Sequence, residues 1–188
     1  ADKRLKLIRR QKNIGLLPSI NELIDLASGD YIAFSDQDDV WMENRLSAVR
    51  QLQTAYDIIV SDCIVTNENL ECINPSYFNL IGFNLKWTSN LFRCRFLGSS
   101  MVISKSFANE LFPLSLSLPA HDWAISMGGL IKKKNIKVIE TPLIMYRRHS
   151  GSVSSLLNGR KRSIYDRLSD RFIMLAFCFR NFQVKHEE

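Results

Sequence analysis

The feature that most constrains this chain is the run Tyr31-Ile32-Ala33-Phe34-Ser35-Asp36-Gln37-Asp38-Asp39-Val40-Trp41, an apolar segment that ends in three carboxylates within four residues. Such a run reads as a buried strand delivering acid groups to the rim of a sheet. Side chains alternate along a strand, so Asp36 and Asp38 are expected on one side and Asp39 on the other. Two carboxylates on one side repel unless a cation lies between them. Oxygen ligands of this kind suit Mg²⁺ or Mn²⁺, shared with the phosphates of a substrate. An acidic turn after a core strand, with no ligand at all, accounts for the same residues equally well.

The flanking sequence supplies the rhythm of an α/β fold. Leu5-Lys6-Leu7-Ile8 reads as a short strand and Asn13-Ile14-Gly15 as a turn. Ser19 and Glu22 have capping-box spacing at the head of a helix that puts Ile20, Leu23, Ile24 and Ala27 on one face, with Gly29 as its C-terminal stop. A second helix from about Glu43 carries Leu46, Val49 and Leu52 inward, and Asp57-Ile58-Ile59-Val60-Ser61 reads as another buried strand. Strand and helix in alternation predict a mostly parallel, Rossmann-related sheet flanked by helices. Ligands in such sheets bind beyond the carboxyl ends of the strands, where Asp36, Asp38 and Asp39 stand.

The second half is less regular. Residues 67–93 show no clear period, and Phe96 to Ser104, containing Gly98-Ser99-Ser100, returns to a strand-like run. Leu118-Pro119-Ala120-His121-Asp122-Trp123 leads into a helix with Trp123, Met127, Leu130 and Ile131 on one face. Asp122 then stands at a helix N-terminus, either as a simple N-cap or as a functional acid whose charge the helix dipole favours. Ile136 to Ile139 and Pro142 to Tyr146 read as two short strands, the second running into Arg147-Arg148-His149-Ser150-Gly151. A cationic loop of that kind holds a diphosphate or is a solvated turn. From Ile164 to Phe182 the spacing of Ile164, Leu168, Phe172, Leu175 and Phe179 among arginines predicts a basic amphipathic helix, core-facing or partner-facing, with a composition that also permits a membrane interface.

Composition narrows the function classes. With 188 residues, 46% hydrophobic and 23% charged, the chain has the make-up of one soluble globular domain. It contains no apolar run near the ~20 residues that span a bilayer, which places it in the cytoplasm, with the tail helix as its point of contact with the inner face of the membrane. Cys63, Cys72, Cys94 and Cys178 have no zinc spacing and read as reduced structural thiols. A net charge of +6 suits nucleic acid, an anionic surface or a phosphorylated substrate. The basic residues are not interleaved with aromatics that could stack bases, so nucleic acid ranks last.

In order and spacing, several segments resemble a known family. Asn13-Ile14-Gly15, Asn21, Ala27-Ser28-Gly29-Asp30-Tyr31-Ile32 and Asp36-Gln37-Asp38-Asp39-Val40-Trp41 resemble the family-two inverting nucleotide-sugar glycosyltransferases of the GT-A fold. His121-Asp122-Trp123 and the stretch from Pro142 to Ser154 are similar to its rhamnosyltransferase-like members. The resemblance implies a nucleotide-sugar donor and a saccharide or lipid-linked saccharide acceptor, in the synthesis of bacterial-type surface polysaccharide. It further implies that Asp38, with Asp36 beside it, holds the divalent metal and that Asp122 is the catalytic base. Asn13, Gly15, Asp39, Trp41, His121, Trp123, Arg148 and His149 would lie in the substrate site, Arg148 and His149 near the diphosphate.

The family normally opens with a strand carrying a Pro-x-Tyr-Asn-like motif and a second ending in an Asp-Asp-x-Ser-x-Asp-like motif that binds the nucleoside, and neither occurs here. The expectation is therefore an N-terminally truncated GT-A domain over residues 1–160, followed by the basic helix over 161–188. Something is expected to precede Ala1, and the 188 residues alone are expected to turn over no donor. Two rivals remain. One is a non-catalytic remnant that binds a partner; the other is a haloacid-dehalogenase-like phosphatase, whose Asp-x-Asp-x-Thr/Val pattern Asp36 to Val40 also satisfies without the later lysine and acidic motifs.

Overall fold

The computed structural model describes residues 2–52, 54–148 and 163–183. Its centre is β3 (Ile58–Thr66), nine residues of which eight are buried, because the apolar run Ile58-Ile59-Val60 is covered on both faces. Six strands form one sheet in the order β1-β5-β3-β6-β2, with β4 (Cys72–Asn74) paired to β3 off that path. β1 is Tyr31–Ala33, β2 Val40–Trp41, β5 Met101–Ser104 and β6 Ile136–Arg147. The sheet is mixed rather than mostly parallel. β3 runs parallel to β6, whereas β1 with β5, β5 with β3, β6 with β2 and β4 with β3 are antiparallel. A continuous apolar run signals burial on both faces but carries no direction, which is why the sequence pattern misled on this point.

The predicted pair of strands at 136–146 is one strand. Opposite β3 its register shifts on either side of Asp62, and Pro142, which has no N–H to give a ladder, stands across from Asp62. The buried Asp62 carboxylate accepts from the backbone N–H of Cys63 (2.7 Å) and Phe78 (2.9 Å) and from Ser76 Oγ (2.5 Å). It thereby anchors α3 (Tyr77–Ile81), which Ser76 caps.

Other expectations shift by a turn. Residues 5–8 form no strand, and Leu5 and Leu7 lie exposed. Helix α1 is Leu16–Leu26 and starts from Gly15 at φ +89°, a conformation that favours glycine. Ser19 therefore lies inside the helix, its hydroxyl donating back to the Gly15 carbonyl at 2.7 Å. Leu17 and Ile24 are the buried residues, and Leu23 faces solvent. The helix stops on extended Ala27, so no left-handed glycine is needed and Gly29 does not serve as one. In α2 (Arg45–Arg50) it is Arg45 and Val49 that point inward, with Leu46 exposed.

The irregular stretch holds β4, α3 and α4 (Trp87–Phe92), and residues 98–100 form a 3₁₀ turn, so that strand β5 begins only at Met101. Helix α5 (Lys105–Leu111) follows directly, capped by Ser104. Helix α6 (His121–Ile131) is buried on nearly all sides, with Gly128 and Gly129 in the core. A Cβ at Gly129 would fall inside contact distance of Cδ1 of the fully buried Ile58. Gly129→Ala is thus expected to destabilise the domain by about 1–3 kcal/mol through overpacking, read as a lower urea midpoint at unchanged slope. An unchanged midpoint would show that Ile58 has room to turn away.

Helix α7 (Ile164–Gln183) packs on α6 and α4, with Met174 and Cys178 inward. The predicted apolar stripe is on its outer side: Ile164, Leu168, Phe172 and Phe179 are 76, 47, 70 and 68% exposed. Leu175 alone of that set is partly buried against the core.

Candidate active site

β1 ends at Ala33, and the Phe34 N–H still donates to the Met101 carbonyl at 3.2 Å, holding the chain to β5 for one more residue. Residues 35–39 then leave the sheet through a turn before β2 begins, so strand alternation does not govern where the acids point. Hydrogen bonds do. Asp39 is locked, accepting from Ser99 Oγ at 2.5 Å and from the Arg147 N–H at 3.1 Å. These two bonds fasten the acidic turn to the 3₁₀ turn before β5 and to the end of β6.

The same 3₁₀ turn brings in the start of α6. A Cβ on Gly98 would lie 2.6 Å from His121 Nε2 and 3.6 Å from Asp122 Cβ, so only glycine lets this backbone sit against the imidazole without displacing it. The His121 ring also packs on Phe34, with centroids 5.5 Å apart. Asp122 is not an N-cap, since Ala120 occupies that position. Its Oδ1 accepts the Trp123 N–H at 2.7 Å within the first turn of α6.

The same surroundings shift the ionisation of these acids. Burial raises the Asp36 pKa, the positive side of His121 lowers it, and the charges of Asp38 and Asp122 raise it again. Burial likewise raises Asp39, opposed by its bonds to Ser99 and Arg147 and reinforced by Asp36 and Asp38. For Asp122 burial again dominates upward, against His121 and the backbone N–H groups. A carboxyl with a raised pKa that is nevertheless ionised is a better proton acceptor than an ordinary one.

The other predicted residues divide. Asn13 and Gly15 are exposed in the turn into α1, where Asn13 Oδ1 accepts the Gly15 N–H, and their bonds stay local. Trp41 is half-buried in β2 beneath Arg45. Trp123 is buried and its indole N–H donates to the Asn90 carbonyl at 2.7 Å, which makes it an anchor for α6 rather than a surface for substrate. Arg148 is buried too, its N–H on the Thr66 carbonyl and its guanidinium 5.7 Å from the Tyr146 ring centre, so it braces β3 and β6. His149 lies outside the described residues.

Sequence reasoning passed over Arg45, read Gly98 and Ser99 only as part of a strand-like run, and read Arg147 only as part of a cationic loop. Arg45 shares the spacing of Val49 and Leu52, the one signal that could have marked it as inward-facing. Among the described residues no group of three or more His, Cys, Asp or Glu side chains could enclose a metal. Asp36 and Asp38 nevertheless stand two residues apart in one turn, with the charge of Asp38 acting on Asp36. That donor set fits Mg²⁺ or Mn²⁺, which keep water and substrate phosphates as their remaining ligands.

Comparison with known proteins places the chain in a family. The family model of Glycosyl transferase family 2 matches residues 1–112, which include the acidic turn, the 3₁₀ turn and β5. A dTDP-rhamnosyl transferase, RfbG, of Shigella flexneri is 23% identical over 172 residues, covering 74% of this chain and 54% of the relative. The chain thus spans about half the length of that curated relative. With a mixed α/β architecture of GT-A type and the family match over more than half of its length, the chain belongs to glycosyl transferase family 2.

Proposed function

We propose that this chain carries the metal and base half of an inverting, metal-dependent glycosyltransferase that moves a deoxysugar such as rhamnose from a nucleoside diphosphate to a saccharide hydroxyl. The observation that carries this reading is that the first turn of α6, with His121 packed on Phe34 and with His121 and Asp122 against Gly98, lies beside the acidic turn that Ser99 holds through Asp39. Asp122 takes the proton of the acceptor hydroxyl as its oxygen attacks the anomeric carbon from the side opposite the leaving diphosphate. Base catalysis with no enzyme nucleophile gives inversion, by the logic that separates the two outcomes of glycoside hydrolysis. Asp38 and Asp36 would hold Mg²⁺ or Mn²⁺, which would offset charge on the leaving diphosphate. The similarity to a dTDP-rhamnosyl transferase favours dTDP-rhamnose as donor. The test, made on this chain joined to the family's nucleoside-binding strands, is release of nucleoside diphosphate from dTDP-, UDP- and GDP-sugars with Mn²⁺, with the anomeric configuration of the product read by NMR. A retained configuration would overturn the role of Asp122.

The acceptor of such an enzyme, if lipid-linked, lies at a membrane, and α7 offers a surface for one. No helix among the described residues is long and apolar enough to cross a bilayer. The outer face of α7 instead presents Ile164, Leu168, Phe172 and Phe179, with exposed Arg167 and Arg180 nearby. Exposed Phe92 extends the patch from α4, where Arg171 Nη2 donates to its carbonyl at 3.2 Å. Apolar side chains with arginines at the margin match the interface of an anionic bilayer. Phe172→Asp with Phe179→Asp is expected to lower binding to phosphatidylglycerol vesicles by at least about tenfold, given ~1.5–3 kcal/mol for each buried side chain. Equal sedimentation of variant and wild type would remove the membrane from this proposal.

A further inference from the structure

Arg45 is the largest polar side chain sealed inside the protein, at 1% exposure. Its Nη2 donates to the Ser99 carbonyl at 2.8 Å and reaches the Phe34 carbonyl at 3.4 Å. Its guanidinium lies 4.4 Å from the centre of the Trp41 ring. Phe34 is the last residue before the acidic turn, Trp41 is in the strand just after it, and Ser99 is the residue whose hydroxyl holds Asp39. One side chain therefore grips the entry of the acidic turn, its exit, and the partner of its locked carboxylate.

We infer that Arg45 is a positioning residue of the donor site, which fixes the turn at 35–39 so that Asp36 and Asp38 are held side by side. The assignment deepens the proposed function and rests on its reading of those two acids. A buried charge is costly, and an apolar side chain of similar volume would fill the same space at less cost. Burial brings the Arg45 pKa down to about 10, which leaves it charged at neutral pH, with the charge of Asp39 among the groups that favour that form. Lysine could not substitute in kind, because the planar guanidinium that stacks on an indole while one of its nitrogens reaches two carbonyls belongs to arginine. The Trp41 indole N–H and Arg45 Nη1 remain buried without a partner, a further cost accepted at this spot.

The experiment compares hydrogen exchange of peptides covering residues 35–41 in wild type, Arg45→Met, Arg45→Lys and Phe107→Leu. Phe107 is a fully buried core residue in α5 and serves as a destabilised control. Arg45→Met is expected to raise exchange in this segment by about tenfold or more, Arg45→Lys by less, and the control not at all beyond its global loss of stability. The same rates in Arg45→Met and the control would overturn the inference. Should Arg45→Met not fold, the result for Arg45→Lys decides in the same terms. Mn²⁺ affinity, measured alongside with Asp38→Asn, separates the two levels. Affinity lost in Asp38→Asn but intact in both Arg45 variants would overturn the positioning role alone. Affinity intact in Asp38→Asn would overturn the donor-site reading, while exchange still reports whether Arg45 tethers the turn.

Discussion

In an enzyme that joins this chain to the family's nucleoside-binding strands, Asp122→Asn is expected to cut sugar transfer by at least about 100-fold while leaving donor affinity within a few-fold. A base acts as the acceptor hydroxyl loses its proton, so its removal falls on the transition state and not on the bound donor. Asparagine retains the oxygen that accepts the Trp123 N–H, and so preserves the start of α6. A variant with more than about a tenth of wild-type turnover would rule out the role.

The same substitution has a second expected effect, of opposite sign for stability. The folded-state pKa of Asp122 lies above its usual 3.8, mainly because the group is buried. Between 3.8 and that raised value the folded protein binds more protons than the unfolded chain, so stability falls as pH rises across the window. Asp36 and Asp39 are raised as well and act in the same direction. Asp122→Asn should therefore melt higher than wild type at neutral pH and show a flatter loss of stability above pH 4. Circular dichroism melts at pH 4 and pH 7 give both numbers. A variant that is inactive and also less stable at pH 7 would point to a purely structural Asp122.

What the sequence made legible was local and compositional. The acidic run, the apolar strand Ile58 to Val60 and a helix that starts at His121 are each visible as short patterns, and each occurs where expected. What it hid was orientation. Leu46 and Arg45 are adjacent, and the hydrophobic reading chose the leucine, yet the structure turns the arginine inward because it finds two carbonyls and an indole there. Along α7 the stripe with the best helical spacing faces outward, and the core takes Met174 and Cys178 instead, since packing against α6 and α4 decides the face. The site was half legible for a related reason. Asp36, Asp38 and Asp122 could be singled out as candidates from sequence motifs, but the acidic turn is held through Asp39 by the Ser99 hydroxyl and the Arg147 N–H, and the start of α6 meets the Gly98 backbone. Backbone contacts of that kind leave almost no trace in side-chain pattern.

Asp38→Asn is expected to weaken Mn²⁺ binding by about tenfold or more, and with it the affinity for a nucleoside diphosphate sugar. Two effects of the substitution oppose each other. The charge of Asp38 is among the causes that raise the Asp36 pKa, so its removal lets Asp36 ionise more readily and hold a cation better. Against this, one of the two anionic ligands of the pair is gone. By Coulomb's law a divalent ion attracts each carboxylate with twice the charge that the neighbouring carboxylate uses to repel it, and over a shorter distance, so the lost ligand outweighs the relief. Titration calorimetry of Mn²⁺ into wild type, Asp36→Asn and Asp38→Asn measures the balance, and a ¹³C carboxyl titration of Asp36 in Asp38→Asn checks the smaller effect as a lowered pKa. If Mn²⁺ affinity is unchanged in Asp38→Asn while the Asp36 pKa falls, the two acids are neighbours without being ligands. The acidic turn would then serve only to hold β1, β6 and the 3₁₀ turn together through Asp39.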